Sequence, residues 1–349
     1  MAIEVVTLPG DLPEIMRPAL EVLRAVVPDT DMVFHEYPFG GASIDDSGEP
    51  LTDEVLKACQ AADAVLLAAV GGPKWDSTDP TKPRPEQGLL GLRKGLGLYA
   101  NLRPVKPLPA LYKASPLREE RIRDTDLLIV RELTGGLYFG EKGRIGNTTF
   151  DRCEYSAEEV ERIARVAFGQ GREKVTLVEW PDTPDMPDDK LETAKLWRQV
   201  VNDMHAREFA DIPLEHMTIK QAVKQMGFAP SRFDTILIEN TLGDILSDQA
   251  AIITGSLGML PSASLGDEGP GLFEPGHGSA PDIAGQGIVN PLGIFYSAAL
   301  MLRKLNQSEA AEALETAVDG AVFGGLRTRD LGGQATTREA TDAVLAKLP

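Results

Sequence analysis

The sequence predicts a two-domain α/β protein that contains both parallel and antiparallel strands. Its 349 residues exceed the length over which a single hydrophobic core usually grows. Strands alternate with amphipathic helices in the first 70 residues, which favours parallel pairing. Between residues 124 and 150 three short segments are separated by glycine-containing turns, and this spacing favours antiparallel strands: "TDLLIVREL", "GLYFGEK" and "RIGNTTF".

The individual elements follow from the apolar pattern and from the turn residues between them. Strands are predicted at 3–8, which Pro9-Gly10 ends, at 32–37, where apolar and polar residues alternate, and at 64–70, which is apolar throughout. Helices are predicted at 14–26, 51–61, 157–170, 188–208, 243–252, 291–305, 308–322 and 335–347.

The composition excludes several classes of partner. The net charge is −18 and the sequence pI is about 4.7, and such an acidic surface repels nucleic acid and anionic lipid. The longest apolar run, at 64–72, is far shorter than a membrane span, and the N-terminus lacks the pattern of a signal peptide. Cys59 and Cys153 are too few for a disulfide framework and are expected to be free thiols of a cytoplasmic protein.

Three arginines occur in restrictive settings: Arg93 in "GLLGLRK", Arg103 in "YANLRP" and Arg131 in "LIVRELTGG". Arg131 ends an apolar strand just before two glycines, which indicates a charge at a cleft. Three guanidinium groups could bind the two carboxylates of a dicarboxylic acid. The alternative is that these arginines form surface salt bridges in an acidic protein.

Asp244 and Asp248 are four residues apart in "NTLGDILSDQAA", so a helix places both on one face. Two like charges so close repel each other unless a cation or water compensates them. A divalent metal site is one interpretation, and a solvated helix face is the other. Tyr138 follows the glycines at 135–136, on the next predicted short strand, and could donate a proton, although most strand tyrosines serve packing.

The segment "FEPGHGSAPDIAGQGIVNP" (273–291) carries four glycines and three prolines around His277, Ser279 and Asp282. Backbone N–H groups of such a loop can bind a phosphate or adenine, and an aspartate can accept from both hydroxyls of a ribose. The alternative is an ordinary connection rich in turns.

Taken together, these segments resemble the β-decarboxylating dehydrogenases of the isocitrate/isopropylmalate family. The resemblance covers nearly the whole chain, in the family's order, and includes "LPGD", "YPFGGASID", "AVGGPKWD", "RPEQGLLGLRK", "ANLRP", "LIVRELTGGLYFGE", "GDILSD", "GSLGMLPSASLG" and "HGSAPDIAGQGIVNP". It implies a homodimer of two-domain subunits, with residues 1–98 plus 255–349 on the cofactor side and residues 99–254 carrying the substrate and dimer contacts.

The resemblance also implies roles for individual residues. It assigns Arg93, Arg103 and Arg131 to the substrate carboxylates, Tyr138 to protonation of the enolate, and Asp244 and Asp248 to Mg²⁺ or Mn²⁺. Leu89 and Leu90 match positions that face the substrate's alkyl group, and Glu86 matches one beside the nicotinamide ribose. The adenosine-binding positions correspond to His277, Gly278, Ser279, Ala280, Asp282, Ile283 and Asn290. Asp282 would repel a 2′-phosphate, which favours NAD over NADP.

The sequence departs from the family pattern at three places. The glycine-rich turn after "LPGD" is shortened to "LPGDLPEI". The family's base lysine is matched by Trp180 in one register and by Pro187 in the other, with Lys190 three residues beyond. Lys220 occupies the position of the aspartate that the second subunit contributes to the metal.

These departures leave three hypotheses open. In the first, the chain acts on 3-isopropylmalate or a related 3-substituted malate, with the Lys220 ammonium replacing the metal charge or the missing lysine. In the second, the chain is a dehydrogenase for another substituted malate. In the third, it is a paralogue with altered or lost catalysis that serves as a binding or regulatory subunit.

Overall fold

The computed structural model describes residues 2–28, 31–77, 79, 81–180 and 191–349. In chain order the strands are β1 (Ile3–Gly10), β2 (Met32–Glu36), β3 (Ala64–Ala69), β4 (Ala100–Val105), β5 (Leu127–Glu132), β6 (Lys142–Ile145), β7 (Thr148–Asp151), β8 (Val175–Glu179), β9 (Leu214–Thr218), β10 (Thr235–Ile238), β11 (Pro261–Leu265) and β12 (Gly271–Pro275). The helices are α1 (Pro13–Val26), α2 (Gly41–Ser47), α3 (Asp53–Ala61), α4 (Pro85–Gly95), α5 (Glu119–Ile122), α6 (Ala157–Phe168), α7 (Glu192–Glu208), α8 (Ile219–Phe228), α9 (Asn240–Thr254), α10 (Leu292–Lys304), α11 (Ser308–Phe323) and α12 (Thr337–Leu345).

The chain divides into two compact units. The first unit comprises Met1–Leu98, Leu108–Ser115 and Thr254–Pro349, and the second comprises Tyr99–Pro107 and Pro116–Ile253. No helix in the described ranges is long and apolar enough to cross a membrane.

Five strands of the first unit lie in the order β2-β1-β3-β12-β11, with only β11 and β12 antiparallel among the described pairs of this unit. Helix α10 packs on β11 and β12, and α1 packs on α10, α11 and α12. The continuous apolar run of β3 is buried on both faces, as parallel strands covered by helices require.

Five strands of the second unit lie in the order β4-β5-β10-β8-β9. Strand β4 is antiparallel to β5, and the remaining pairs are parallel. Helices α6 and α7 pack on one another, and α6 covers β5 and β10, where it closes a core around Phe168 and Trp197. The predicted mixed α/β class with flanking helices is therefore confirmed.

The antiparallel prediction for 124–150 is partly wrong. Strand β5 is antiparallel to β4 but parallel to β10, and only β6 and β7 form the expected hairpin. "GLYFGEK" does not form a strand at its start, because Gly136 has a positive φ of 76° and turns the chain into a 3₁₀ helix over Gly136–Tyr138. The helix predicted from 188 starts at Glu192, and residues 188–190 lie outside the described ranges.

Candidate active site

Three polar side chains share one face of the β4–β5 pair. Asn101 and Arg103 are two residues apart on β4, and Asn101 is in register with Arg131 on β5. Since successive side chains of a strand alternate between the two faces of a sheet, all three lie on the same face. All three are buried, with Arg131 only 3% exposed. A buried guanidinium needs a partner for nearly every N–H group, so the neighbours of this face decide what it can bind.

Helix α9 provides those partners for Arg131. The Asn240 Oδ1 atom accepts from Arg131 Nη2 at 2.9 Å and from Nε at 3.3 Å, while Nη1 donates to Asp244 Oδ1. A Cβ atom at Gly243 would lie 2.7 Å from Arg131 Cγ, which is too close. The glycine therefore allows the helix backbone to approach the arginine stem.

Arg103 is held in a similar way. Its Nε donates to Asn101 Oδ1 at 2.9 Å and its Nη1 to Ser247 Oγ at 2.7 Å. Asp248 Oδ1 lies 3.5 Å from the same Nη1. Each of the two predicted metal aspartates therefore pairs with one of the predicted substrate arginines.

The N-terminus of α9 is fixed by a carboxylate that precedes it. Glu239 is buried and accepts from the backbone N–H groups of Leu242 at 2.6 Å and Thr241 at 3.1 Å. Tyr155 Oη donates to the same carboxylate at 2.9 Å and accepts from the Asn240 N–H at 3.0 Å. A negative charge at a helix N-terminus also complements the helix dipole. This network sets where the helix begins and hence where Asp244 lies.

Tyr138 joins the same cluster, although it does not lie on a strand as the sequence predicted. Its hydroxyl donates to Asp244 Oδ2 at 2.9 Å from the 3₁₀ helix after Gly135-Gly136. Burial and the Asp244 charge raise the pKa of Tyr138 above its ordinary value. The phenol therefore keeps its proton at neutral pH.

The two aspartates differ in acidity. Burial raises the pKa of Asp244, but the charges of Arg131 and Arg103 and the Tyr138 hydrogen bond outweigh burial, so the pKa of Asp244 lies below its ordinary value. Burial and the Asp244 charge raise the pKa of Asp248 against the pull of Arg103. Asp244 is thus the more firmly ionised of the two.

The donor set is compatible with a hard divalent cation. No cluster of three or more His, Cys, Asp or Glu side chains suited to a metal occurs among the described residues. Mg²⁺, however, is commonly held by one or two carboxylates, with water and substrate oxygens completing the shell. Asp244 and Asp248 on one face of α9 satisfy that smaller requirement.

Helix α4 of the first unit carries four of the predicted residues. Glu86, Leu89, Leu90 and Arg93 recur at helical spacing, with both leucines half-buried. Arg93 is buried, and its Nη2 donates to Glu274 Oε1 on β12 at 2.7 Å. Within this unit Arg93 is therefore held by a carboxylate that the sequence pattern had not indicated.

The loop after β12 lines two cavities of the first unit. One, of about 380 Å³, includes His277, Gly278, Ala280, Ile283 and Asn290 in its wall. The other, of about 550 Å³, is lined by residues that include Gly71, Glu86, Gly278, Ser279 and Ala280. The loop is pinned where Ser279 Oγ donates to Gly71 O at 2.7 Å. Asp282 is exposed and lines neither cavity.

His277 gives the smaller cavity a polar character that suits a nucleobase. Its Nδ1 lies 2.8 Å from Gly278 O and must carry the proton of that contact, while its buried Nε2 has no hydrogen-bond partner among the described residues. Burial lowers the pKa of His277, so the ring is neutral at pH 7. A neutral ring protonated at Nδ1 leaves Nε2 as an acceptor. An exocyclic amino group such as that of adenine fits this acceptor.

Three of the residues or segments at which the sequence departs from the family pattern lie within the described residues. The shortened turn is closed by Asp11, whose carboxylate accepts from the N–H groups of Gly71 at 2.8 Å, Ala42 at 3.0 Å and Gly41 at 3.1 Å. Trp180 directly follows β8, and Lys220 is an exposed residue in the first turn of α8. Pro187 and Lys190 lie outside the described residues.

The sequence pattern missed the residues that hold the predicted ones. Asn101, Asn240, Ser247 and Glu274 each accept a hydrogen bond from one of the three arginines. A usable signal existed for Asn101 and Asn240, since both are amides next to a functional motif, in "ANLRP" and "ENTLGD". Ser247 lies inside "GDILSD", between the two aspartates, whereas Glu274 gave no such signal. The partners of Glu274 and Ser247 are 181 and 144 residues away in the chain.

Comparison with known proteins identifies the family of the chain. The isocitrate/isopropylmalate dehydrogenase family model matches residues 4–344. The 3-isopropylmalate dehydrogenase of Anaeromyxobacter dehalogenans is 49% identical over 100% of both chains, and that of a Synechococcus species (strain CC9605) is 51% identical over 96% of this chain and 95% of the relative. The chain therefore belongs to the isocitrate/isopropylmalate dehydrogenase family, whose members are decarboxylating dehydrogenases.

Solved structures support the same assignment. The crystal structure of isocitrate dehydrogenase from Methylococcus capsulatus superposes with a TM-score of 0.86 at 29% identity and covers 99% of each chain. A β-decarboxylating dehydrogenase from Thermococcus kodakarensis gives a TM-score of 0.80 at 34% identity, over 99% of this chain and 96% of that one. The family resemblance predicted from the motifs is confirmed.

Proposed function

We propose that this chain catalyses the NAD-dependent oxidative decarboxylation of 3-isopropylmalate or a closely related 3-substituted malate, as a step of leucine biosynthesis. The observation that carries the proposal is the cluster on α9 and the β4–β5 face. Two buried arginines, two aspartates and a protonated tyrosine lie there within one hydrogen-bonded network. The names of the two relatives described above supply the substrate class.

The substrate assignment rests on charge and on the alkyl-facing positions. Arg103 and Arg131 offer guanidinium groups that match carboxylates in geometry and charge. We assign Arg93, the third of the predicted substrate arginines, to the same substrate. It lies on α4, the helix that also carries Leu89 and Leu90. Two leucines favour an alkyl substituent over a further carboxylate.

Tyr138 is the proposed general acid for the protonation that follows decarboxylation. Its raised pKa keeps the phenol protonated at neutral pH, so it can deliver a proton to the carbon that has lost CO₂. Asp244 accepts the hydrogen bond of this phenol and thereby orients its O–H group. General acid catalysis of this kind typically contributes about 10²- to 10⁴-fold in rate.

Asp244 and Asp248 are the proposed ligands of Mg²⁺ or Mn²⁺. When bound, such an ion acts as a Lewis acid that polarises substrate oxygens and stabilises developing negative charge. Asp244 is suited to this role because Arg131 and Arg103 keep its pKa low against the effect of burial. The two arginines also limit the net charge of the aspartate pair while no cation is present.

The nucleotide would bind to the first unit along the loop after β12. The His277 Nε2 acceptor suits the adenine amino group, and Gly278, Ala280, Ile283 and Asn290 line the same cavity. Glu86 and Ser279 line the neighbouring cavity, which we assign to the nicotinamide side. Asp282 is an exposed residue of the same loop. We propose that its negative charge disfavours a nucleotide with a 2′-phosphate.

A homodimer is part of the proposal. Helix α9 exposes Ile245 by 59% and Ile252 by 40%, seven residues apart and hence on one face. Large apolar side chains exposed along one stripe indicate a partner surface. A second copy of α9 is the proposed partner, and Ile245→Glu should convert the dimer to a monomer in sedimentation equilibrium. A dimer that persists in this variant would contradict the use of α9.

A second candidate function follows from Trp180 and Lys220. Trp180, after β8, cannot act as the base whose position it matches, and Lys220, on α8, is not the carboxylate whose position it matches. The alternative is therefore a paralogue that binds the dicarboxylate without turnover. Under the first function, Lys220 supplies the missing cation or proton chemistry from the partner copy. Lys220→Ala should then abolish turnover, whereas Lys224→Ala, on the same helix, should not.

The proposed function is tested by NADH absorbance with purified protein, NAD⁺, and 3-isopropylmalate or other 3-substituted malates, each with and without Mg²⁺. NADH formation with 3-isopropylmalate supports the proposal, and formation only with another malate identifies a different dehydrogenase. Binding of 3-isopropylmalate without NADH supports the paralogue. Full activity of Lys220→Ala would exclude the role given to that lysine.

A further inference from the structure

Both arginines of the second-unit cluster have the same kind of neighbour. Arg103 donates its Nε–H to Asn101 Oδ1 at 2.9 Å, and Arg131 donates its Nε–H to Asn240 Oδ1 at 3.3 Å. The two asparagines come from different elements, β4 and the start of α9, and both are almost completely buried. In each arginine Nη1 donates to a side chain of α9, Ser247 for Arg103 and Asp244 for Arg131.

A guanidinium is planar, and its five donors leave it along fixed directions. An acceptor on Nε therefore fixes the rotation of the plane about the stem and determines which edge remains for a carboxylate. For Arg131 the fixation is stronger, since the same Asn240 oxygen also accepts from Nη2 at 2.9 Å. A neutral amide achieves this without cancelling the arginine's charge, which an aspartate or glutamate in its place would do.

Asn240 also reaches the segment that carries Tyr138. Its Nδ2 donates to Gly135 O at 3.1 Å, just before the 3₁₀ helix Gly136–Tyr138. One buried amide thus couples the orientation of Arg131 to that of the tyrosine turn. Buried amides of this kind are costly unless both ends are satisfied, and here both ends are.

We infer that Asn101 and Asn240 are positioning residues that set the planes of Arg103 and Arg131 for carboxylate binding without adding a further negative charge beside them. This inference rests on the proposed function, because it assumes that the two arginines bind a dicarboxylate. It assigns the asparagines no contact with substrate. Their effect is expected in substrate affinity and hardly at all in cofactor affinity.

The test is isothermal titration of 3-isopropylmalate, in the presence of Mg²⁺, into the full-length protein and its variants. Asn240→Asp keeps the shape of the side chain, but it adds a carboxylate that competes with the substrate for Arg131, and it removes the N–H donor to Gly135. Asn101→Asp adds the same competing carboxylate beside Arg103. Each should raise the Kd for 3-isopropylmalate at least 10-fold and leave the Kd for NADH within twofold.

The matched control is Asn147→Asp, which adds the same charge to an exposed position between β6 and β7. It should leave both dissociation constants unchanged. If Asn240→Asp fails to fold, the milder Asn240→Ser replaces it, with an expected rise in Kd of at least threefold. Thermal unfolding of each variant identifies a merely structural role, which would lower Tm without changing the Kd.

The outcomes separate the inference from the proposed function. Unchanged substrate affinity in folded Asn101→Asp and Asn240→Asp, with normal binding by the wild-type protein, would overturn the positioning role alone. No detectable binding of 3-isopropylmalate by the wild-type protein would overturn the proposed function, and with it the premise of the inference.

Discussion

The candidate substrate cluster of the second unit and the candidate nucleotide loop of the first unit are built on opposite principles. The cluster uses charged side chains on regular elements, where Arg131 and Asp244 compensate each other. The loop uses backbone groups and a neutral histidine, His277, along its cavities. A charged cluster fails when one member is removed, because its partner is left as a buried charge. Removing the neutral ring of His277 loses only a single contact, so substitutions of the two kinds should differ greatly in effect.

The largest expected effect comes from Arg131→Gln. This change leaves Asp244 without its ion pair and removes a donor for the substrate carboxylate. Because Asp244 is 39% exposed, losing this pair costs less than the about 3–5 kcal/mol typical of a fully buried pair, and we expect the protein to unfold at only moderately lower denaturant concentration. The lost contact to the substrate carboxylate should lower kcat/KM at least about 100-fold. NADH assays and urea titration measure the two quantities. The exposed Arg118→Gln is the control, and equal behaviour of the two variants would contradict the role of the cluster.

Tyr138→Phe should have the next largest effect. It removes the phenolic proton and the hydrogen bond to Asp244 but keeps the ring. We expect kcat to fall about 100-fold, within the usual range for general acids, with the substrate KM nearly unchanged. Single-turnover kinetics with detection of the decarboxylated product checks this expectation. An unchanged kcat would show that another group supplies the proton.

A smaller effect is expected in the nucleotide loop. His277→Ala removes one neutral acceptor, worth about 1 kcal/mol, so the Kd for NADH should rise only about fivefold. NADH fluorescence titration measures it directly. The Kd for 3-isopropylmalate should stay constant, and a parallel loss of substrate affinity would break the distinction between the two regions.

The smallest effect concerns pH. Burial lowers the pKa of His277, so the folded protein binds this proton more weakly than the unfolded chain does. The stability that the neutral ring provides is present above the unfolded value of about 6.5 and is lost as the pH falls below it. Acidification from pH 7 to 5.5 should therefore lower Tm less in His277→Gln than in the wild-type protein. Equal losses of Tm would contradict the buried neutral ring.

The sequence pattern predicted much of the fold because apolar periodicity and turn residues act locally. The strand at 64–70 and the helix at 308–322 differ from β3 and α11 by one residue. Tyr138 was misplaced because a pattern of alternating residues does not reveal that Gly136 adopts a positive φ. A single local torsion decided between a strand and a 3₁₀ helix.

The site was less predictable than the fold, since it depends on contacts between distant segments. The spacing of Asp244 and Asp248 was visible in the sequence, but the pairing of Asp244 with Arg131 joins residues 113 positions apart. The pairing of Asn240 with Arg131 was missed for the same reason, because the two residues are 109 positions apart. Their partners are fixed by the register of β4 and β5 and by the place where α9 begins.

The central claim is that the second-unit cluster binds a dicarboxylate and a divalent metal. A crystal structure with 3-isopropylmalate and Mn²⁺, with anomalous data for the metal, tests it most directly. We expect an anomalous peak between Asp244 and Asp248 and substrate carboxylate oxygens on Arg103 and Arg131. Substrate bound elsewhere, or both arginines still closed on the two aspartates in the presence of saturating ligand, would contradict it.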